Sequence, residues 1–215
     1  MSCSQCVGIE LRFDRKKAAQ ELQDYRNNGP KNTTRRLIDA VMAEDVSEMT
    51  LLDIGGGVGA IQHELLKAGA SSSISVEASQ AYIKAAKLEG KRQGHADRMS
   101  HCHGDFVDLA PDIPECDIVT LDKVVCCYHD MRRLVEESSA RAKRVYGLVY
   151  LRDHWYARIW TALDNFRNML RRNPFRQFVH PPEEVERILR RKGFQKRFHH
   201  KAGTWLTVVY SRALP

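Results

Sequence analysis

No apolar run in the 215-residue chain approaches the roughly 20 residues that a membrane-spanning helix requires, so no membrane partner is expected. The first residues, Met1-Ser2-Cys3-Ser4-Gln5-Cys6, lack the basic stretch and apolar core of a secretory signal, and a cytoplasmic location is expected. Six cysteines without an export signal read as thiols of a reducing compartment, not as a disulfide scaffold. Internal repeats and low-complexity tracts are absent too, which removes solenoids and fibres. What remains is a single ordinary domain with 43% apolar and 28% charged residues, enough for a sizeable core.

Charge is unevenly placed. Residues 1–110 carry 14 basic against 15 acidic side chains, and residues 111–215 carry 20 against 12. The basic excess includes Arg167, Arg171, Arg172 and Arg176, and could draw an anionic substrate, an RNA or an acidic partner, or simply be solvated.

Beyond residue 50, short β-branched runs alternate with helical patterns, as in an α/β fold with a mainly parallel sheet. Strands are expected at 49–54, 73–77, 99–103, 117–122 and 146–151, with helices between them. Pro181-Pro182 opens a last helix whose buried stripe is Val185, Ile188 and Leu189 and which Gly193 ends. Gln195–His199 and Trp205–Tyr210 flank Lys201-Ala202-Gly203 and should pair as an antiparallel hairpin. Two segments fall outside the alternation. Residues 1–45 read as one or two helices, 13–25 and 33–43, and residues 153–180 as an aromatic-rich helical insertion. Both are expected to cover the C-terminal edge of the sheet as lids on a 46–215 domain.

The most informative stretch is Asp53-Ile54-Gly55-Gly56-Gly57-Val58-Gly59. Glycines at a strand-to-helix turn let a ligand approach the main chain. Alone, the loop also satisfies a loose dinucleotide fingerprint. Asp53 shifts the balance, because a carboxylate at the strand tip repels a pyrophosphate and welcomes an ammonium or sulfonium.

On Asp53, Gly55, Gly57 and Gly59 the chain resembles the class I S-adenosylmethionine methyltransferases over roughly residues 48–151. The resemblance implies a Rossmann-like seven-stranded sheet and S-adenosyl-L-methionine as cofactor. It places Glu77 on the ribose hydroxyls, with Ala78 beside it. Asp105 and Phe106 of Gly104-Asp105-Phe106 fall at the adenine, and Asp122 ends the fourth strand facing the transferable methyl. Cys3 to Glu10, Gly29 to Thr34 and Val124 to Tyr128 look most like small bacterial proteins related to magnesium-protoporphyrin O-methyltransferase.

Methyl transfer from a sulfonium rests on in-line positioning in a water-poor site, and a base is needed only when the acceptor is protonated. The expected acceptor is a small molecule, anionic or aromatic, methylated on oxygen or nitrogen. For a carboxylate acceptor, orienting cations matter more than a base. If a base operates, His129 is the first candidate, with Asp130 as its orienting partner. His154 and His180 come second, and Tyr128, Tyr25 and Tyr156 are candidate pocket residues. No metal site is expected. Cys3-x-x-Cys6 shows half a zinc site, which Cys126-Cys127 would complete only if the N-terminal segment folded over the pocket. Two alternatives stay open, an RNA or protein methyltransferase using the basic half and a thiol or metalloid methyltransferase using the cysteines. Nucleic acid ranks low because no Asn-Pro-Pro-aromatic segment follows the fourth strand, and a homodimer is an open option.

Overall fold

The computed structural model describes residues 4–212. Its centre is a seven-stranded sheet in the order β3-β2-β1-β4-β5-β7-β6. The strands are β1 (Thr50–Ile54), β2 (Ser72–Glu77), β3 (Met99–His103), β4 (Cys116–Asp122), β5 (Ala142–Leu151), β6 (Phe194–Ala202) and β7 (Trp205–Arg212). β1 to β5 run parallel, while β7 pairs antiparallel with both β5 and β6. The expected hairpin is therefore present. β5 starts four residues before the expected strand, because Ala142-Lys143-Arg144 lacks the apolar run that marks its second half.

Helices fill both faces. α3 (Asn32–Met42) and α4 (Ala60–Lys67) share one core with Leu51, Ile118, Val145, Val149 and Val209. α7 (Met131–Ala140) and α9 (Pro182–Arg191) share the other with Leu52, Val119, Leu121, Tyr146 and Leu148. The period-two alternation of β1, β4 and β5 sorts neighbouring side chains between these cores. Gly147 lets α3 lie close on the sheet, since a Cβ there would come 2.8 Å from Leu37 Cδ1. α3 thus belongs to the body of the domain, although it falls within the segment expected as a lid.

The remaining N-terminal helices number two, not one. α1 (Ser4–Arg12) precedes α2 (Arg15–Asn28), which the side chain of Asp14 caps by accepting from Lys17 N at 2.9 Å. Ala18, Leu22 and Tyr25 of α2 bury themselves against Val58, Tyr82 and Ala85, the last two on α5 (Gln80–Gln93). α1 escapes pattern reading because only one of its faces is covered. Gln5 there donates to Cys127 O at 2.7 Å and Arg176 O at 2.8 Å, tying the helix to two distant segments. α6 (Phe106–Leu109) is a single turn, and α8 (Trp155–Leu170) is the insertion after β5. No helix among the described residues is long and apolar enough to cross a membrane.

Chain order and sheet order fix where a ligand can sit. β1, β2 and β3 progress one way and β4 and β5 the other, so the C-terminal ends of β1 and β4 flank the crevice where the direction reverses.

Candidate active site

One side of that crevice is the glycine loop. Gly55, Gly57 and Gly59 take positive φ values of 65°, 57° and 84°, which residues with a Cβ rarely adopt. Gly56 has no room for a side chain, since a Cβ would stand 2.8 Å from both Asp53 Oδ2 and Ser75 Oγ. Asp53 lies beneath the loop, buried, and accepts from Thr120 Oγ1 at 2.7 Å and Gln62 Nε2 at 3.1 Å. Burial outweighs both hydrogen bonds and pushes its carboxyl up to about 7. The negative charge expected there is thus weakened by burial near neutral pH.

Glu77 ends β2. Its carboxylate accepts from Gly57 N at 3.1 Å and Ser79 N at 2.9 Å, which pins the loop and the start of α5 together. Burial raises its pKa, and three backbone N–H groups pull the other way. Each oxygen keeps a lone pair for a ligand hydroxyl. Asp105 caps α6, accepting from Val107 N at 2.9 Å, and takes the Tyr128 hydroxyl at 3.0 Å on both oxygens. Phe106 is buried behind it.

The opposite side sets cations among carboxylates. After Asp122, the chain turns through Lys123 at φ 63°, whose N donates to Val149 O at 2.7 Å. Its ammonium sits 3.1 Å from Asp122 Oδ1 and 5.5 Å from the Trp205 ring centroid. Thr34 of α3 donates to Asp122 Oδ2 at 2.5 Å. From above, α1 and α2 bring Lys17, over the Phe13 ring at 4.3 Å, and Arg12, 3.3 Å from Asp164. Burial and the neighbouring Arg12 hold the Lys17 ammonium below its usual range.

Together these elements enclose a cavity of about 780 Å³. Of the residues singled out in sequence, Asp53, Gly55, Gly57, Glu77, Ala78, Asp105, Phe106, Asp122, Tyr128 and Tyr25 line it. Gly59 stands behind the loop as the N-cap of α4, packed on His63. His129 is exposed, stacks on Tyr128 and does not line the cavity. Asp130 does not orient it, because that carboxylate caps α7 through Arg133 N at 3.1 Å. His154 packs against Tyr156, with ring centroids 4.4 Å apart, and does not reach the cavity either. His180 is spent on Tyr128 O at 2.8 Å. Nearness in sequence to the end of β4 singles out His129, and flanking positions on the insertion single out His154 and His180, but none of the three rings lines the cavity.

Cys3 lies outside the described residues. Cys6 Sγ is 3.9 Å from Asp105 Oδ2, while Cys126 and Cys127 both donate to Lys123 O and stand 4.0 Å apart. Among the described residues no three His, Cys, Asp or Glu side chains converge as a metal would require. Pattern reading missed Thr34, Lys123, Lys17 and Arg12. Only Lys123 carried a signal, its position directly after a strand-end acid; the other three reach the cavity through helix packing.

A family model described as an O-methyltransferase domain matches residues 3–148. A search of curated proteins returns no match. Among solved structures, magnesium protoporphyrin IX methyltransferase from Synechocystis PCC 6803 with bound SAH superposes with a TM-score of 0.72 at 16% identity, covering 95% of this chain and 98% of its own. An O-methyltransferase family protein from Burkholderia thailandensis gives 0.71 at 15% identity, covering 95% of this chain and 63% of its own. A family 2 O-methyltransferase from Planctomyces limnophilus DSM 3776, solved with apigenin, gives 0.67 at 15%, covering 93% and 62%.

Proposed function

The chain belongs to the O-methyltransferase domain family and is a class I S-adenosylmethionine-dependent methyltransferase, and on that premise we propose that its acceptor is an anionic oxygen, a carboxylate, on a small and largely apolar molecule. One observation carries this reading. The acceptor side of the cavity presents Lys123, Lys17 and Arg12, set among the carboxylates Asp122, Glu21 and Asp24, and not one imidazole. Cations that orient an anion suit a nucleophile already deprotonated at neutral pH, whereas a phenol or an ammonium would need a base. A porphyrin propionate is such an acceptor, in keeping with the substrate named for the Synechocystis structure.

The residues present fit the cofactor. Glycines 55 to 57 leave main chain bare at the cavity wall, and Glu77 offers two lone pairs to a vicinal diol. Glu77 would hold the ribose, Asp105 and Phe106 the base, and the Asp53 loop the amino-acid end. When bound, S-adenosylmethionine supplies an electrophilic methyl group, which a carboxylate takes up as an ester with no proton to remove. Lys123 holds the acceptor oxygen from the β4 side, with Asp122 and Thr34 fixing its ammonium. Lys17 meets the same anion from α2, and the α1–α2 roof keeps water out, so that positioning supplies most of the rate. Tritiated methyl transfer to matched carboxylic acids, phenols and amines tests the reading. Ester formation is expected, and methylation of phenols or amines alone would sink it.

A further inference from the structure

α8 is built inside out. The side chains it buries are Ala157, Thr161 and Asn168, small or polar, while Trp155, Trp160 and Leu170 are 68%, 65% and 68% exposed. Ile159, Leu163, Phe166 and Met169 are each more than half exposed as well. At about 100° per residue, these apolar positions span an arc of roughly 180° centred opposite the buried strip. The exposed apolar area is on the order of 900 Å², above the roughly 300–600 Å² of the largest patch on a typical monomer. No residue of α8 lines the cavity.

One edge of the arc and its C-terminal end carry basic side chains. Arg167, Arg171 and Arg172 are exposed and in no ion pair among the described residues, and Arg158 is matched by Asp153 at 2.7 Å. The one acid within the helix, Asp164, turns to the body and meets Arg12. We propose that α8 lies in the plane of an anionic lipid surface, its tryptophans and leucines among the acyl chains and its arginines at the headgroups. The arc width favours a lipid surface over a second copy, since a helix pair covers a seam of about 100° or less and would leave the edges wet. The charge agrees, because unpaired arginines find partners among anionic headgroups and would face one another along much of a symmetric helix pair.

Co-sedimentation of the full chain with phosphatidylcholine vesicles, with and without about a third of phosphatidylglycerol, tests this. Binding to the anionic vesicles is expected, with a blue shift of tryptophan emission and weakening in salt. Trp160→Ser, Leu163→Ser and Phe166→Ser together should lower partitioning at least ~tenfold without changing the circular dichroism, because all three are exposed. Arg167→Gln, Arg171→Gln and Arg172→Gln together should lower it ~tenfold or more on anionic vesicles alone. No binding to either vesicle, or equal binding to both, overturns the proposal. So does a dimer in sedimentation equilibrium that the serine substitutions dissociate while vesicles stay unbound.

Discussion

The two sides of the cavity are held by different means. On the β1–β2 side, Asp53 and Glu77 come from strand tips, and every partner that fixes them is main chain or a neighbouring strand or helix of the sheet. On the β4 side, Lys123 rests on Thr34 from α3 and Trp205 from β7, and lines the same cavity as Lys17 and Arg12 from helices near the N-terminus. The first side can be preorganised by the sheet alone. The second exists only once the end of β4 has met β7 and the three N-terminal helices, all remote from it in sequence. A cofactor common to a family suits the first kind of construction, and an acceptor particular to one protein suits the second.

The largest expected effect breaks the first side. Glu77→Ala removes a proposed ribose acceptor and strands the N–H groups of Gly57 and Ser79. With charge-assisted hydrogen bonds worth about 1.5–3 kcal/mol each, the Kd for S-adenosylmethionine by calorimetry should rise at least ~100-fold. A change under about threefold would take Glu77 out of the cofactor site.

Next is the second side. Lys123→Met keeps the stem over Trp205 but removes the ammonium and leaves Asp122 without its cation. An anionic acceptor then loses an attraction and meets a repulsion, so its KM should rise on the order of 10- to 30-fold. The Kd for the cofactor should stay within about twofold. A fall in cofactor affinity with KM unchanged would move Lys123 to the other side of the comparison.

These contrasts also explain what the sequence discloses. The parallel sheet, the last helix and the hairpin follow from local period and punctuation, as Pro181-Pro182 and Gly193 do for α9. Asp53 is legible from the glycine turn that follows its strand, and Glu77 through the family resemblance that this turn opens. Lys17 and Arg12 are not, because a basic residue on an amphipathic helix reads as solvated until its packing partner is known. α8 misleads in the other direction, since its apolar stripe resembles a buried face and only the fold shows it turned outward.

A smaller effect sharpens the electrostatics of the first side. Asp53 has a folded pKa of about 7, well above its ordinary value of 3.8. The stability it contributes is therefore full below about pH 4 and is lost as pH rises through about 7. A cation nearby favours the ionised form, so binding S-adenosylmethionine near pH 7 should release protons from this carboxyl. Calorimetry in buffers of different ionisation enthalpy would read it. The neutral demethylated product should release less, and its affinity should vary less between pH 6 and 8. Equal release by both ligands would mean that Asp53 does not sense the sulfonium.

The smallest effect comes from the residue that position in sequence favours most. His129 follows β4 closely, as a base would, yet it is exposed, stacks on Tyr128 and lies outside the cavity. If the β4 side works by orienting an acceptor already ionised, His129→Ala should leave kcat within about a factor of two, and the pH–rate profile should keep its shape. Lost stacking on Tyr128 can loosen the ring that donates to Asp105, which would raise the cofactor KM slightly and leave kcat alone. That split separates a packing role from proton transfer. A hundredfold loss of kcat together with loss of a limb near neutral pH would instead require the loop after β4 to swing inward during turnover, and the second side of the cavity would then be a base site that closes on its substrate.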